Sequence, residues 1–253
     1  MKQQGFTLLE MIISLALSML IGLSIFQLTK INKQRYEVFQ VIEELNQKET
    51  LLRNILEKTI QKIGGNIPNY VMNDVNQQWA FAITRNNVIS GLNTQIPNDI
   101  KGTALAINYD YGNRCDGKPL DTSATLTIDY YFVKEDTTAE KVSSLYCKAP
   151  NKRIVPLINN VDYMKIYYHH TDASGKIRIL DEDLLNVTNW FDIYKIDVFM
   201  IISSNSGHYE DAPSKTFLTG ANEFPGDVVI ENINKPYDGK FRKAIYFSFN
   251  IKK

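Results

Sequence analysis

Gly5, Phe6 and Glu10 stand at the start of a stretch, residues 1–29, whose only other charged side chain is Lys2. A carboxylate at the depth of bilayer hydrocarbon costs about 2.5–3.5 kcal/mol on insertion scales, so an acid kept in such a run needs a compensating partner. A small residue followed by an aromatic one is a candidate cleavage point. Cutting after Gly5 would create an amine on Phe6, four residues before Glu10. That spacing is about one helical turn. Within one helix the two groups are held apart, so neutralisation is expected between neighbouring copies.

The element that must carry these residues is a helix. Crossing a bilayer takes roughly 20 residues. The run Phe6–Phe26 is long enough for that. Gly5 and Lys2 precede the apolar run, whereas an ordinary secretory signal is cut after it; the anchor would therefore stay on the mature chain. Lys2 favours an N-in orientation with the bulk outside. The helical pattern goes on past the membrane: Val38, Ile42, Leu45, Leu52, Leu56, Ile60 and Ile63 recur at steps of three, four or seven, with charged residues on the remaining faces. Gly64-Gly65 and Pro68 supply the stop, which predicts one helix over about 7–63, with Gly22 as a soft spot. A coiled coil is the weaker reading of the second half, because clean heptads are few.

Beyond Pro68 the chain turns to short β-like runs broken by Asn, Asp, Gly and Ser. Leu126, Ile128, Tyr130 and Phe132 alternate with Thr125, Thr127, Asp129 and Tyr131, the signature of a half-buried strand. Further strands are expected at 79–84, 103–109, 142–147, 163–170, 177–180, 193–203 and 244–251, with a hairpin turn at Asp172-Ala173-Ser174-Gly175. Residues 181–189 suit a short helix. Residues 205–239 read as a long surface loop with one strand at 227–230. The fold class is α+β: a long N-terminal helix, its amphipathic half packed on one face of a mainly antiparallel sheet. The expected organisation is a leader at 1–5, a transmembrane part at 6–29, an amphipathic part at 30–66 and a β-rich head at 67–253.

Gly5-Phe6-Thr7-Leu8-Leu9-Glu10 and the apolar run after it resemble the prepilin signature of type IV pilins and type II secretion pseudopilins. That resemblance implies cleavage after Gly5 by a membrane-embedded prepilin peptidase, methylation of the new terminus at Phe6, and Glu10 as the carboxylate that meets the terminus of an adjacent subunit during assembly. Downstream, Tyr130-Tyr131-Phe132-Val133, Leu145-Tyr146-Cys147, Val155 to Asp162, and Asn189-Trp190 leading into Ile196–Ile202 are similar to the minor pilin PilW family, as is the helix end Leu56–Gly64, although Thr59 stands where that family usually has a basic residue. The resemblance implies a single-pass inner-membrane protein with a periplasmic head, found in a pilus at the cell surface once assembled. Its implied partners are other minor and major pilins, the prepilin peptidase and the inner-membrane pilus assembly machinery. The second reading is a minor pseudopilin of a type II secretion system; the third is a membrane-tethered periplasmic ligand-binding or enzymatic head.

The rest of the sequence narrows these choices. With 28 basic and 28 acidic residues, no bulk charge favours nucleic acid. Cys115 and Cys147 could close a loop in an oxidising compartment or stand as two buried thiols. Such a closure is worth about 3–4 kcal/mol on chain-entropy grounds. The remaining zinc ligands are missing around them. His169 and His170 adjoin Asp172, yet strand neighbours point to opposite faces, so no more than one histidine can serve a given site. His170, on the face of Met164, Ile166 and Tyr168, reads as a hydrogen-bonded edge or core residue. Asp181-Glu182-Asp183 lacks the spacing of a Ca²⁺ loop, and Asn186-Val187-Thr188 is a glycosylation sequon by pattern only. Neither a phosphate loop nor a nucleophile elbow is present. No catalysis, cofactor or metal is expected.

Overall fold

The computed structural model describes residues 8–62, 97, 99–109, 112–120, 127–136, 142–149, 152–171, 174–175, 177–180, 193–205, 215–218, 232–235 and 239–251. The chain forms two compact units, Met1–Glu44 and Leu45–Lys253, whose boundary falls inside a single helix, α1 (Leu8–Ile60). At about 1.5 Å per residue α1 is about 80 Å long. It runs unbroken through Gly22, so the expected soft spot is absent. In the first unit the large apolar side chains from Leu8 to Leu28 are exposed on every side of the helix. The hydroxyls there bond back to their own helix: Ser14 donates to Met11 O, Ser18 to Ser14 O, Ser24 to Leu20 O and Thr29 to Ile25 O. Each thereby occupies its donor without any other chain, which suits a hydrocarbon surrounding.

In the second unit α1 buries Leu45, Leu52, Leu56 and Ile60, four residues of the expected stripe. Val38 and Ile42, which the periodicity also placed on that stripe, lie at the surface, Ile42 half exposed. They belong to the part of the helix upstream of the second compact unit. The helix also ends earlier than expected, closing at Ile60 with a turn at 61–62. The proposed stop residues Gly64, Gly65 and Pro68 lie outside the described residues, as do the expected strand at 79–84 and the helix at 181–189.

In place of the single expected sheet, the described residues form two four-stranded sheets and a two-stranded hairpin. One has the order β1 (Leu105–Tyr109), β2 (Thr127–Glu135), β3 (Ser143–Lys148), β4 (Val155–Asn159). The other has the order β10 (Arg242–Asn250), β7 (Ile193–Ser203), β5 (Val161–Thr171), β6 (Ile177–Leu180). All these neighbours pair antiparallel. The turn after β5 contains Gly175 at φ 81°, and β5 and β6 form the expected hairpin. β4 was not foreseen as a strand, because Pro156 lacks a donor; it is tolerated there at the sheet edge. The loop expected over 205–239 contains a small hairpin, β8 (Lys215–Leu218) paired with β9 (Asn232–Lys235); the strand proposed at 227–230 lies outside the described residues.

Two short connections fuse the sheets. The chain passes from β4 to β5 through one residue, Asn160, whose φ is 58°. That is the left-handed region, where asparagine is enriched. Its carbonyl accepts from Ser203 N (2.9 Å) and its side-chain amide donates to Asn205 Oδ1 (2.6 Å). Just before β1, Lys101 N donates to Val133 O on β2, while Lys101 O accepts from Met164 N on β5 and Thr103 N donates to Met164 O. Gly102, at φ 92°, sits in that joint, and a Cβ there would overlap the carbonyl oxygen of Met164. Only glycine fits.

β5 is buried on both faces, which alternation alone did not foresee. On one face Met164, Ile166, Val198, Met200, Ile245 and Phe247 align across β5, β7 and β10. Arg53 of α1 lies over the Phe247 ring at 4.8 Å, and Lys243 reaches Glu49 at 2.6 Å, so this is the helix side. On the other face Tyr163, Tyr167, Phe199 and Ile201 pack with Ile179, Phe217 and Ile233, the last two from the β8–β9 hairpin.

Candidate functional site

The terminal residues fall into two groups. Gly5 and Phe6 lie outside the described residues. Glu10 is in the first turn of α1 and exposed, set among exposed Leu8, Leu9, Met11, Ile12 and Ile13. A carboxylate in a first turn is favoured by the helix dipole, which explains how the helix tolerates it at that end. The stretch that follows is long and apolar enough to cross a membrane, and none of it is buried by the rest of the chain. An acidic group on a largely apolar, outward-facing helix costs free energy in hydrocarbon unless a cation offsets it.

Among the described residues of the head, two polar centres hold the cysteines and histidines singled out in the sequence. Cys115 and Cys147 are joined as a disulfide with Cα atoms 6.1 Å apart. That separation is ordinary for a disulfide, and the bond decides between the two readings of these cysteines. Beside it Asp129 is fully buried. Its Oδ2 accepts from Tyr109 Oη (2.5 Å) and from Cys115 N (2.7 Å), while its Oδ1 has no hydrogen-bond partner. Burial pushes the Asp129 carboxyl above its ordinary range, against the lowering pull of those two donors and of Lys62. Lys62, just past the end of α1, donates to Asn113 O (2.6 Å) and sits 4.8 Å from the Tyr109 ring centroid. Burial lowers its ammonium pKa, partly offset by Asp129.

The second centre pairs His169 Nε2 with Asp197 Oδ2, across β5 and β7. Burial works against the charged form of Asp197, but His169, Tyr246 and Ser248 outweigh it and pull the carboxyl down to about 2. Asp172, which adjoins the two histidines in the sequence, lies outside the described residues. The structure supplies Asp197 as the acid of His169, and an acid followed by the apolar run Val198–Ile202 was the available signal. His170 is a core residue, as expected, but neither ring nitrogen has a hydrogen-bond partner, so it is not the satisfied histidine foreseen. No cluster of three or more His, Cys, Asp or Glu that could hold a metal occurs among the described residues. Asp181-Glu182-Asp183 and the Asn186 sequon lie outside them. Thr59 is buried and donates to Tyr131 Oη (3.2 Å), which accounts for a small hydroxyl residue at a position where a longer basic side chain would not fit.

Residues 1–26 match the prokaryotic N-terminal methylation motif. The matched segment begins before Gly5 and ends at Phe26, so it covers the proposed cut, Glu10 and most of the apolar run. Among solved structures the chain is similar to a type IV-like pilin, TTHA1219, from Thermus thermophilus, at 10% identity and a TM-score of 0.47, over 81% of this chain and 94% of that one. No curated protein matches the chain.

Proposed function

We propose that the protein is a minor pilin of a type IV pilus system, of the PilW kind, with an assembly role and no reaction of its own. In this reading prepilin peptidase cuts after Gly5 and methylates the amine of Phe6. The helix stays in the inner membrane with the head in the periplasm, and the chain then joins sibling pilins to start or stabilise a filament. The observation that carries it is Glu10, the acid in a methylation motif whose helix surface is otherwise apolar and exposed. In hydrocarbon an amine on a neighbouring subunit is the partner that neutralises such an acid at least cost. The α+β head, docked on the second half of the helix, leaves the first half bare for those neighbours.

Glu10→Leu tests this. It removes an insertion penalty, so membrane insertion and head folding should be normal while incorporation into a filament or initiation complex is lost; normal piliation would overturn the assembly role. Gly5→Leu should block processing, read by intact mass as retention of residues 1–5 and absence of the methyl group. Co-purification with pilus rather than secretion subunits separates this reading from a minor pseudopilin, which shares the same N-terminal chemistry.

A further inference from the structure

We propose that the Cys115–Cys147 disulfide is a redox-controlled latch that fixes the end of α1 to the head. The segment Gly112–Leu120 is braced internally: Arg114 Nη2 pairs with Asp116 Oδ2 at 2.9 Å, Lys118 N donates to Asp116 Oδ1, and Arg114 N donates to Lys118 O. It therefore behaves as one small unit. Among the described residues, three ties hold that unit to the rest of the molecule. Cys115 is bonded to Cys147 on β3, Cys115 N donates to Asp129 on β2, and Asn113 O accepts from Lys62 at the end of α1.

Only the first tie is covalent, and it positions the other two. Cys115 N and the Cys115 sulfur belong to one residue, and Asn113 is two residues away, so the carbonyl that receives Lys62 is held in place through the disulfide. Asp129 completes the arrangement by binding Tyr109 Oη, whose ring lies against the same Lys62 ammonium. Helix end, loop and both inner strands of that sheet thus meet at one cross-link. Opening it leaves the carbonyl that receives Lys62 on a loop whose remaining described tie to the sheet is the Cys115 N bond to Asp129.

The two cysteine residues differ in exposure. Cys147 is fully buried and Cys115 is half-buried, so an external thiolate reaches Cys115 first. A dithiol would attack Cys115 Sγ, the S–S bond would break, and Cys147 would leave as a thiolate and take up a proton. The reagent's second thiol then displaces Cys115 as a thiol, and the dithiol ends as a disulfide, so that two electrons pass to the protein. Oxidation reverses the step and locks the helix end.

The test is amide hydrogen exchange on the full-length protein in detergent micelles, oxidised and after reduction with dithiothreitol and alkylation. Reduction should raise exchange at 56–62 and 105–109 about tenfold, the scale of losing one charge-assisted hydrogen bond, while 196–202 in β7 keeps its protection. Lys62→Met, with the disulfide intact, should raise exchange at 56–62 alone. Unchanged protection of the helix end after reduction overturns the proposal. So does loss of protection in β7 to the same degree, which would make the disulfide a general brace. None of these outcomes depends on Glu10 or on assembly, so the latch and the pilin reading fail separately.

Discussion

The two ends of α1 are made by the same backbone and solve opposite problems. From Leu8 to Thr29 apolar residues go all round, every one of the four hydroxyls described above donates to a carbonyl one turn earlier in the helix, and nothing is buried. From Leu45 to Ile60 the apolar residues narrow to one stripe, and the polar ones reach outward: Lys48 donates to Ser203 O and Asn205 Oδ1, both at 2.8 Å, and Thr59 to Tyr131. The difference teaches that helix propensity decides nothing here; surroundings do. A helix meant for lipid must satisfy its polar atoms internally, whereas one meant for a sheet can spend them on tertiary contacts.

The largest break in that comparison should come from truncating matched leucines. Leu56 is fully buried and Leu17 is more than half exposed. Leu56→Ala is expected to destabilise the head by about 2–5 kcal/mol in denaturant unfolding. Leu17→Ala should shift head stability by no more than roughly 0.5 kcal/mol.

Acid comes next, because it acts on the head and spares the span. Asp197 has its carboxyl held at about 2 against an ordinary 3.8, so the unfolded chain takes up the proton first. Its contribution is complete above the ordinary value and is lost as pH falls from there toward the lowered one, about 2 kcal/mol in all. Asp129 has the opposite sign: its pKa is raised, so the fold gains stability as pH falls into its titration range. Unfolding monitored across pH should therefore show a maximum in mild acid. Asp197→Asn should flatten the acid arm and Asp129→Asn the other, while the helical signal of the span persists throughout.

The smallest effects should separate two lysines. Lys48→Met loses its contacts with Ser203 and Asn205. The expected cost is about 1 kcal/mol. Lys33→Met removes only a 4.0 Å pair with Glu37 on an exposed surface. Such a pair is worth about 0.3 kcal/mol. Equal costs in thermal melts would mean that the docked half gains nothing from its long polar contacts.

Legibility in the sequence followed the same division. The helix and the strands at 177–180 and 193–203 were readable because period and turn chemistry are local. The hairpin at 215–218 and 232–235 was missed because its strands are separated by a long stretch rich in Gly and Pro, whereas the equally short strand at 177–180 follows a tight turn signal. The acid that pairs with His169 was not legible for a different reason. Asp172 is three residues away in the chain and Asp197 is twenty-eight, but the register of β5 against β7 brings the distant acid in, and no one-dimensional pattern encodes register. Of the proposed assembly site, Glu10 was legible from charge alone, since an acid in an apolar run needs no tertiary context to stand out. The Lys62, Tyr109 and Asp129 cluster was not, because its members come from three elements and each looks ordinary in its own.

Asn160 gives the molecule a mechanical property. Because the chain changes sheets across one residue, tied on both sides to β7 and its extension, there is no slack between the two layers. A load applied through the helix to one layer reaches the other before any loop can pay out. Under tension the head should give way in a single rupture event, rather than unravelling strand by strand.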